Sequence, residues 1–275
     1  MLKQRVLTAI VLAVVILSAL FGLPDNLLLL LFGIILLAAA WEWGGLAELG
    51  HAPAKVTFLL AESAVMLAGG WMVISHADYV PLLLVSTVLA WLLILYWLVM
   101  YERGRLKIHF SSGSRVLLGL LLLPITWLSI AFILIRFEND RLLILLLFFL
   151  IWGADVAAYF TGRAFGKHKL APSISPGKTW QGVMGALAMT VVIACVAWRL
   201  MNYPLDLLPK LIVLGLLVAA ISIVGDLFES LLKRQVGIKD SSNLLPGHGG
   251  VLDRIDSMIA ASPLFALGIY LLGLA

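Results

Sequence analysis

Residues 141–161 read RLLILLLFFLIWGADVAAYFT, with Arg141 and Asp155 as the only charged side chains. A continuous apolar run of about 20 residues is long enough to cross a bilayer as a helix. The strands of a membrane β-barrel would instead show segments of about ten residues with alternating hydrophobicity. The stretch therefore predicts a membrane-spanning helix that carries an aspartate within it.

Similar runs fill the chain of 275 residues, of which 63% are apolar and 12% are charged. A soluble domain has roughly 25% charged residues, so this chain cannot bury its apolar surface in one water-facing globule. We predict an all-α, polytopic integral membrane protein with about nine transmembrane helices. The predicted spans lie at about 5–22, 26–43, 56–75, 80–100, 115–135, 141–161, 181–200, 207–230 and 255–274. The first two, separated by a turn-like GLPDN, could instead form a re-entrant pair.

The basic residues predict the orientation of the chain. If the N-terminus is cytoplasmic, all but four of the 19 lysines and arginines fall in cytoplasmic segments, as the positive-inside rule requires. We therefore expect the polar loops, and an active site in them, on the cytoplasmic side. The compactness of this multi-pass chain, which looks bacterial, suggests that the membrane is the inner (cytoplasmic) one. We divide it into N-terminal membrane helices (1–140) and a C-terminal catalytic region (141–275) with cytoplasmic loops at 162–180 and 231–254.

The most polar stretch is GDLFESLLKRQVGIKDSSNLLPGHGGVLDRID at residues 225–256. Asp226 and Asp253 lie at the cytoplasmic ends of the last two spans, so helix packing can bring them together. Carboxylates combined with substrate phosphates are what Mg²⁺ binds, which makes these two the leading metal candidates. Asp256 and Glu229 lie one turn away and could support the site. The alternative is simple charge pairing with the neighbouring basic residues.

A second polar group follows the sixth span. Asp155, Tyr159, Gly162 and Gly166 recur at helical spacing on one face. The segment SPGKTWQG, residues 175–182, then joins Lys178 to a predicted helix start, an arrangement that binds anions. It lacks the first glycine and the preceding strand of a Walker A loop, and a plain helix start is the alternative.

Three other acidic residues lie near or within the first spans. Glu42 and Glu48 border the end of the second span, where an interfacial position is enough to explain them. Glu62 lies deeper in the third span, where a packing hydrogen bond and a functional site are equally open. His248, between glycines, could contact phosphate, act as an acid–base group or only form a turn.

The polar residues of the long stretch have fixed spacing. Ser230, the Lys233–Arg234 pair, Lys239–Asp240, His248-Gly249-Gly250 and the pattern Asp253-Arg254-x-Asp256 together resemble the signature of the phosphatidate cytidylyltransferase (CDP-diacylglycerol synthase) family. The stretch from Asp155 to Gly182 resembles a second block of that family. The first 140 residues are similar only in forming apolar spans. Gln181 stands where the family pattern has a glutamate.

The resemblance implies that CTP and phosphatidate are converted to CDP-diacylglycerol and pyrophosphate in phospholipid biosynthesis. It also implies Mg²⁺ dependence, with a monovalent cation such as K⁺ as a further candidate, a homodimer in the lipid bilayer, and no nucleic-acid partner. The metal ligands would be Asp226, Asp253 and Asp155. The catalytic residues would be Asp226, Asp253, Lys233, Lys239, Asp240, His248 and Asp256. Substrate-binding residues would be Lys178, Ser175, Arg163, Tyr159, Arg234, Arg254, Ser230, Gly249 and Gly250.

Three alternative functions remain open from the sequence. A lipid or polyprenol kinase would use ATP in place of CTP. A transporter would use the buried acids as an ion path, although the polar residues here concentrate at one side of the membrane. A non-catalytic member of the family would explain Gln181.

Overall fold

The computed structural model describes residues 2–137, 140–245 and 249–274, with side chains from residue 11 onward. Within these ranges the chain forms nine α-helices and one short antiparallel hairpin. Their bounds are α1 Leu2–Gly22, α2 Asp25–Leu46, α3 Ala52–Ser75, α4 Val80–Glu102, α5 Ser112–Arg136, α6 Asp140–Phe165, β1 Lys169–Ala171, β2 Ser175–Thr179, α7 Trp180–Leu200, α8 Leu208–Gln235 and α9 Leu252–Leu271. Single 3-10 turns at Ala77–Tyr79 and Leu205–Leu207 precede α4 and α8.

Each predicted span coincides with one helix to within a few residues. The eight helices α2 to α9 are long and apolar enough to cross a membrane, and α1 contributes a shorter apolar stretch at Val11–Gly22. The predicted all-α polytopic membrane fold is therefore confirmed. The cytoplasmic position of the N-terminus remains a prediction.

Both loops of the C-terminal region are shorter than the sequence predicted. The helix α6 continues to Phe165, α8 continues to Gln235, and α9 begins at Leu252. Between α6 and α7 the chain forms the β1–β2 hairpin, in which Lys169 pairs with Thr179. The two prolines of this segment disfavour a helix, so its backbone groups hydrogen-bond to each other across a turn instead.

The buried centre of the bundle is α5, which packs against α3, α9 and α2. Its two buried hydroxyl groups are satisfied within the helix, since Thr126 and Ser129 donate to carbonyls one turn back at 2.9 and 2.7 Å. The helices α3, α4 and α7 bury much less of their surface and expose large apolar side chains such as Leu67 and Trp71. That surface suits contact with lipid tails, which are as apolar as these side chains.

Glycines allow the helices of the C-terminal region to approach closely. A Cβ atom on Gly185 of α7 would overlap the Thr161 side chain of α6. A Cβ on Gly215 of α8 would lie 2.9 Å from the Thr190 methyl group of α7. Small residues at such crossings are typical of membrane bundles, where close van der Waals packing drives helix association.

We expect Gly185→Ala to destabilise the bundle, because the added methyl group must push α7 away from the short, stiff side chain of Thr161. Overpacking of this kind costs roughly 1–3 kcal/mol in the free energy of unfolding. Thermal unfolding in detergent, followed by tryptophan fluorescence, measures the effect. The control is Gly113→Ala, at a position where an added Cβ meets open space. Equal melting temperatures for the two variants would contradict the packing argument.

Candidate active site

Four connections between helices meet at one end of the bundle, which we call the loop end. Hydrogen bonds tie them together: Ser112 donates to the Ala47 carbonyl at 2.5 Å, and Gln235 accepts from the Phe110 backbone N–H at 3.0 Å. The tip of the β1–β2 hairpin joins the group through Ser173, whose backbone N–H donates to a Glu102 carboxylate oxygen at 3.1 Å. The connections are 47–51, 103–111, 166–179 and 236–251.

Three aspartates from three helices lie within electrostatic reach of one another at the loop end. Asp155 of α6 is exposed, while Asp226 of α8 and Asp256 of α9 are half-buried. Asp155 lies within electrostatic reach of both other aspartates and of Lys178. The Lys178 ammonium, on β2, lies 2.7 Å from Asp226 Oδ2. We call Asp155, Asp226, Asp256 and Lys178 the acidic crevice.

A glycine explains why two of these aspartates are neighbours. A Cβ atom on Gly225 would lie 2.6 Å from the Asp256 carbonyl oxygen, so α8 and α9 cross with almost no space between their backbones. The next residue along α8 is Asp226. The crossing therefore places the two carboxylates beside each other, within electrostatic reach.

The charge of the crevice suits a divalent cation. Its three carboxylates face one lysine within the crevice and the exposed Arg254 nearby. In the part of the chain that the structure describes, no three His, Cys, Asp or Glu side chains stand together as a preformed metal site. Mg²⁺ does not require one, because it is usually held by one or two carboxylates together with waters and substrate phosphates.

A second, buried cluster surrounds Asp253 in the first turn of α9. Lys233 Nζ lies 2.7 Å from Asp253 Oδ1 and 3.3 Å from Glu229 Oε1. The other oxygen, Asp253 Oδ2, accepts hydrogen bonds from the Gly250 backbone N–H at 2.8 Å and from the Ser241 hydroxyl at 3.0 Å. Asp253 is thus held by the loop between α8 and α9 and by a buried lysine, as a charge in such a place must be.

Asp226 and Asp253, which the sequence predicts to share a metal ion, have different partners. Asp226 contacts Lys178 and accepts from the Ser230 hydroxyl at 3.3 Å. Asp253 contacts Lys233, Ser241 and Gly250 instead. Asp256 lies within electrostatic reach of Asp226 of the crevice and of Glu229 of the buried cluster. The charge-pairing alternative fits Glu229, which forms an ion pair with Lys233 one turn away.

The two glycines of the predicted motif are required by the geometry. Gly249 has a φ of +82°, a conformation that other residues rarely adopt, and a Cβ there would lie 2.6 Å from Asp253 Oδ2. Gly250 donates its backbone N–H to the same oxygen and has no room for a side chain. Both residues therefore shape the loop around Asp253. His248 lies outside the described residues.

Tyr159 and Arg163 lie at the exposed edge of α6. The Arg163 guanidinium donates to the Tyr159 hydroxyl at 2.9 Å. Gly162 and Gly166, which share their helical stripe, pack against Thr179 at the start of α7. The residues of this stripe therefore have different roles. The glycines allow close helix packing, and Asp155 is the member that belongs to the acidic crevice.

The remaining predicted residues lie around the crevice without joining it. Ser175 is half-buried in β2, and Lys239 and Asp240 are exposed in the loop after α8. Arg234 is exposed and donates to the Ile238 carbonyl at 3.4 Å. A ligand could reach these side chains, but their contacts in the structure indicate no binding role for them.

Gln181 acts as a hydrogen-bond acceptor for the backbone. Its Oε1 accepts from the backbone N–H of Lys167 at 3.1 Å and of His168 at 3.2 Å. These bonds join the start of α7 to the segment between α6 and β1. A glutamine oxygen satisfies both donors as a carboxylate would.

Sequence reasoning missed the contribution of the first half of the chain to this end of the bundle. Glu42 of α2 contacts the loop between α8 and α9, and Glu102 of α4 contacts the hairpin. The only signal available was a glutamate near the end of an apolar span, which an interfacial position explains equally well.

Comparison with known proteins identifies the family. A model described as "Cytidylyltransferase family" matches residues 3–272. A phosphatidate cytidylyltransferase of Pseudomonas aeruginosa is 41% identical over 266 residues, which cover 97% of this chain and 96% of the relative. One of Haemophilus influenzae is 39% identical over 293 residues, with 97% and 98% covered. One of Brucella suis is 50% identical over 127 residues, 45% of each chain. The match to the family model over nearly the whole sequence, supported by two relatives of matching length, shows that the chain belongs to the cytidylyltransferase family.

Proposed function

We propose that this protein transfers the cytidylyl group of CTP to phosphatidate, giving CDP-diacylglycerol and pyrophosphate. The observation that carries the proposal is the acidic crevice, an open group of carboxylates and a lysine at the end of a membrane bundle. One substrate is a lipid confined to the bilayer and the other is a highly charged, water-soluble nucleotide. A site at the end of the spans is where the two can meet.

The reaction requires positioning and charge neutralisation more than covalent catalysis. A phosphate oxygen of phosphatidate attacks the α-phosphorus of CTP, and a new P–O bond forms. The bond between the α- and β-phosphates breaks, and pyrophosphate leaves with its electron pair. The attacking oxygen is already anionic, so no strong general base is needed, and His248 is not required to be one.

The lysines of the two clusters have different roles in this proposal. Lys178 is partly exposed, and its ion pair with Asp226 holds its ammonium at the crevice, where it can bind a phosphate of CTP. Exposed Arg254 is a further cation within electrostatic reach of Asp155. Lys233 is buried against Asp253, so we assign it to positioning the start of α9 instead of to phosphate binding.

Mg²⁺ would be held by Asp226 and one further carboxylate of the acidic crevice, Asp155 or Asp256, together with waters and substrate phosphates. When bound there, the ion supplies positive charge against the triphosphate. Asp253, which the sequence predicts as a ligand, would instead keep the loop before α9 in place through its contacts with Ser241 and Gly250. A monovalent cation such as K⁺ remains a candidate without assigned ligands.

The bundle would span the inner membrane of the cell, with the loop end on the cytoplasmic side. The excess of basic residues in the predicted cytoplasmic segments supports this orientation, and CTP is supplied on that side. A homodimer follows from the family resemblance. The exposed apolar faces of α3, α4 and α7 leave surface for lipid and for a second copy.

The reaction itself is the first prediction to test. Purified protein in detergent should release pyrophosphate only when phosphatidate, CTP and Mg²⁺ are all present. ATP in place of CTP is the control for a lipid kinase. Equal activity with ATP, or release that does not depend on the lipid, would overturn the proposed reaction.

Asp226→Asn should reduce turnover by roughly 100-fold or more, because it removes a metal ligand and the partner of Lys178. The measurement is kcat across a Mg²⁺ titration, with the melting temperature recorded in parallel. Asp206→Asn is the matched control, since Asp206 is exposed at the opposite end of the bundle. Near-normal turnover in Asp226→Asn would exclude the metal assignment.

Gln181→Glu should leave turnover close to that of the original protein, because either side chain can accept the two backbone N–H groups. Gln181→Leu should lower it, since each lost hydrogen bond costs about 1 kcal/mol and the segment before β1 loosens. The same pyrophosphate assay compares the two variants. A large gain of activity in Gln181→Glu would show that the carboxylate itself is needed.

A further inference from the structure

The carboxylate of Glu42 lies buried in the loop between α8 and α9, about 200 residues away from it in sequence. Glu42 is 4% exposed, and four groups donate hydrogen bonds to it. Its Oε1 accepts from the Ser242 hydroxyl at 2.6 Å and from the Val251 backbone N–H at 3.0 Å. Its Oε2 accepts from the Ser241 hydroxyl at 3.0 Å and from the Leu252 backbone N–H at 2.7 Å.

Two of these donors are the first backbone N–H groups of α9. The start of a helix leaves such groups without partners inside the helix, and a neighbouring side chain normally accepts from them. Val251 occupies the capping position of α9 and provides no side-chain acceptor. Glu42 therefore supplies, from another helix, the cap that α9 lacks, and its negative charge suits the positive end of the helix dipole.

Ser241 connects Glu42 directly to Asp253. The Ser241 hydroxyl oxygen lies 3.0 Å from Glu42 Oε2 and 3.0 Å from Asp253 Oδ2, so its one hydrogen can serve either carboxylate. The Ser241 backbone N–H donates to Asp253 as well, at 3.0 Å. Glu42 thus holds in place the residue whose backbone N–H and hydroxyl both face Asp253.

Glu42 also explains the second glycine of the His-Gly-Gly motif. A Cβ atom on Gly250 would overlap both Glu42 Oε2 and the Ser241 hydroxyl oxygen. The carboxylate of α2 thus occupies the space where a side chain at position 250 would lie. A motif of the C-terminal region is therefore shaped by a residue of the N-terminal one.

We propose that Glu42 is a positioning residue for the active site: it caps α9 and holds residues 241–242 against residues 251–252, and so places Asp253 and Asp256 for the reaction. This inference rests on the proposed function for its effect on turnover, while the closing of the loop rests on the contacts alone. Glu42 is buried beneath the loop and acts through it, without touching substrate.

The test uses Glu42→Gln in the full-length protein. The amide group that replaces one oxygen cannot accept a hydrogen bond, so one backbone N–H of α9 loses its partner. Hydrogen–deuterium exchange should become faster in residues 236–257 while the other helices keep the rates of the original protein. At saturating lipid, kcat should fall by roughly 10- to 100-fold with little change in KM for CTP, as when an interaction of the transition state is lost.

Glu62→Gln is the matched control, because Glu62 is buried in α3 and its oxygens have no hydrogen-bond partner among the described residues. Its turnover and its exchange at 236–257 should equal those of the original protein. If Glu42→Gln does not fold, Glu42→Asp, whose shorter side chain keeps the charge but withdraws it from the loop, enters the same two measurements.

The outcomes separate this inference from the proposed reaction. Unchanged exchange at 236–257 in a folded Glu42 variant would overturn the proposal, and so would faster exchange spread evenly over all helices. Faster local exchange with normal kcat would also overturn it, because the loop would then be irrelevant to the reaction. If the original protein shows no CTP-dependent release, the proposed function fails, and the exchange measurement still decides whether Glu42 closes the loop.

Discussion

The cost of placing charge in hydrocarbon constrains this whole molecule. Charged groups within a bilayer are costly unless they are paired or reach water, so most polar residues of the described helices collect where the helices end. Four connections at one end of the bundle then surround the candidate active site. Inside that end, the crossing of α8 and α9 at Gly225 decides which carboxylates become neighbours. A larger residue there would separate Asp226 from Asp256.

In the proposed function, the two clusters at the loop end have different roles, one in binding and one in support. The acidic crevice is open and has fewer positive charges than carboxylates, which suits a ligand that brings a cation and phosphates. The buried group around Asp253 is already satisfied by Lys233, Ser241 and Gly250, which suits a structural role. Exposure and hydrogen-bond saturation distinguish these roles where residue type cannot.

Much of the fold and several residues of the candidate site could be predicted from the chain alone. Long apolar runs predicted the helices because only a helix satisfies its own backbone within a bilayer. Asp155, Asp226, Asp256 and Lys178 could be singled out because charged residues are rare here. Their grouping could not, since the sequence paired Asp226 with Asp253 by their similar positions at helix ends. Which aspartates become neighbours depends on how the helices rotate and cross, and a local sequence pattern contains no information about either.

The sequence by itself determined the class of the protein: its hydropathy requires membrane helices, and its spaced polar residues identify the family. The tertiary structure alone decided how the first half of the chain serves the second. Glu42 lies near the end of a span, where its local sequence indicates nothing more than an interfacial residue. The proposed role of Glu42 arises because α2 ends where α9 begins. A carboxylate from α2 therefore accepts hydrogen bonds from backbone N–H groups that have no partner within α9.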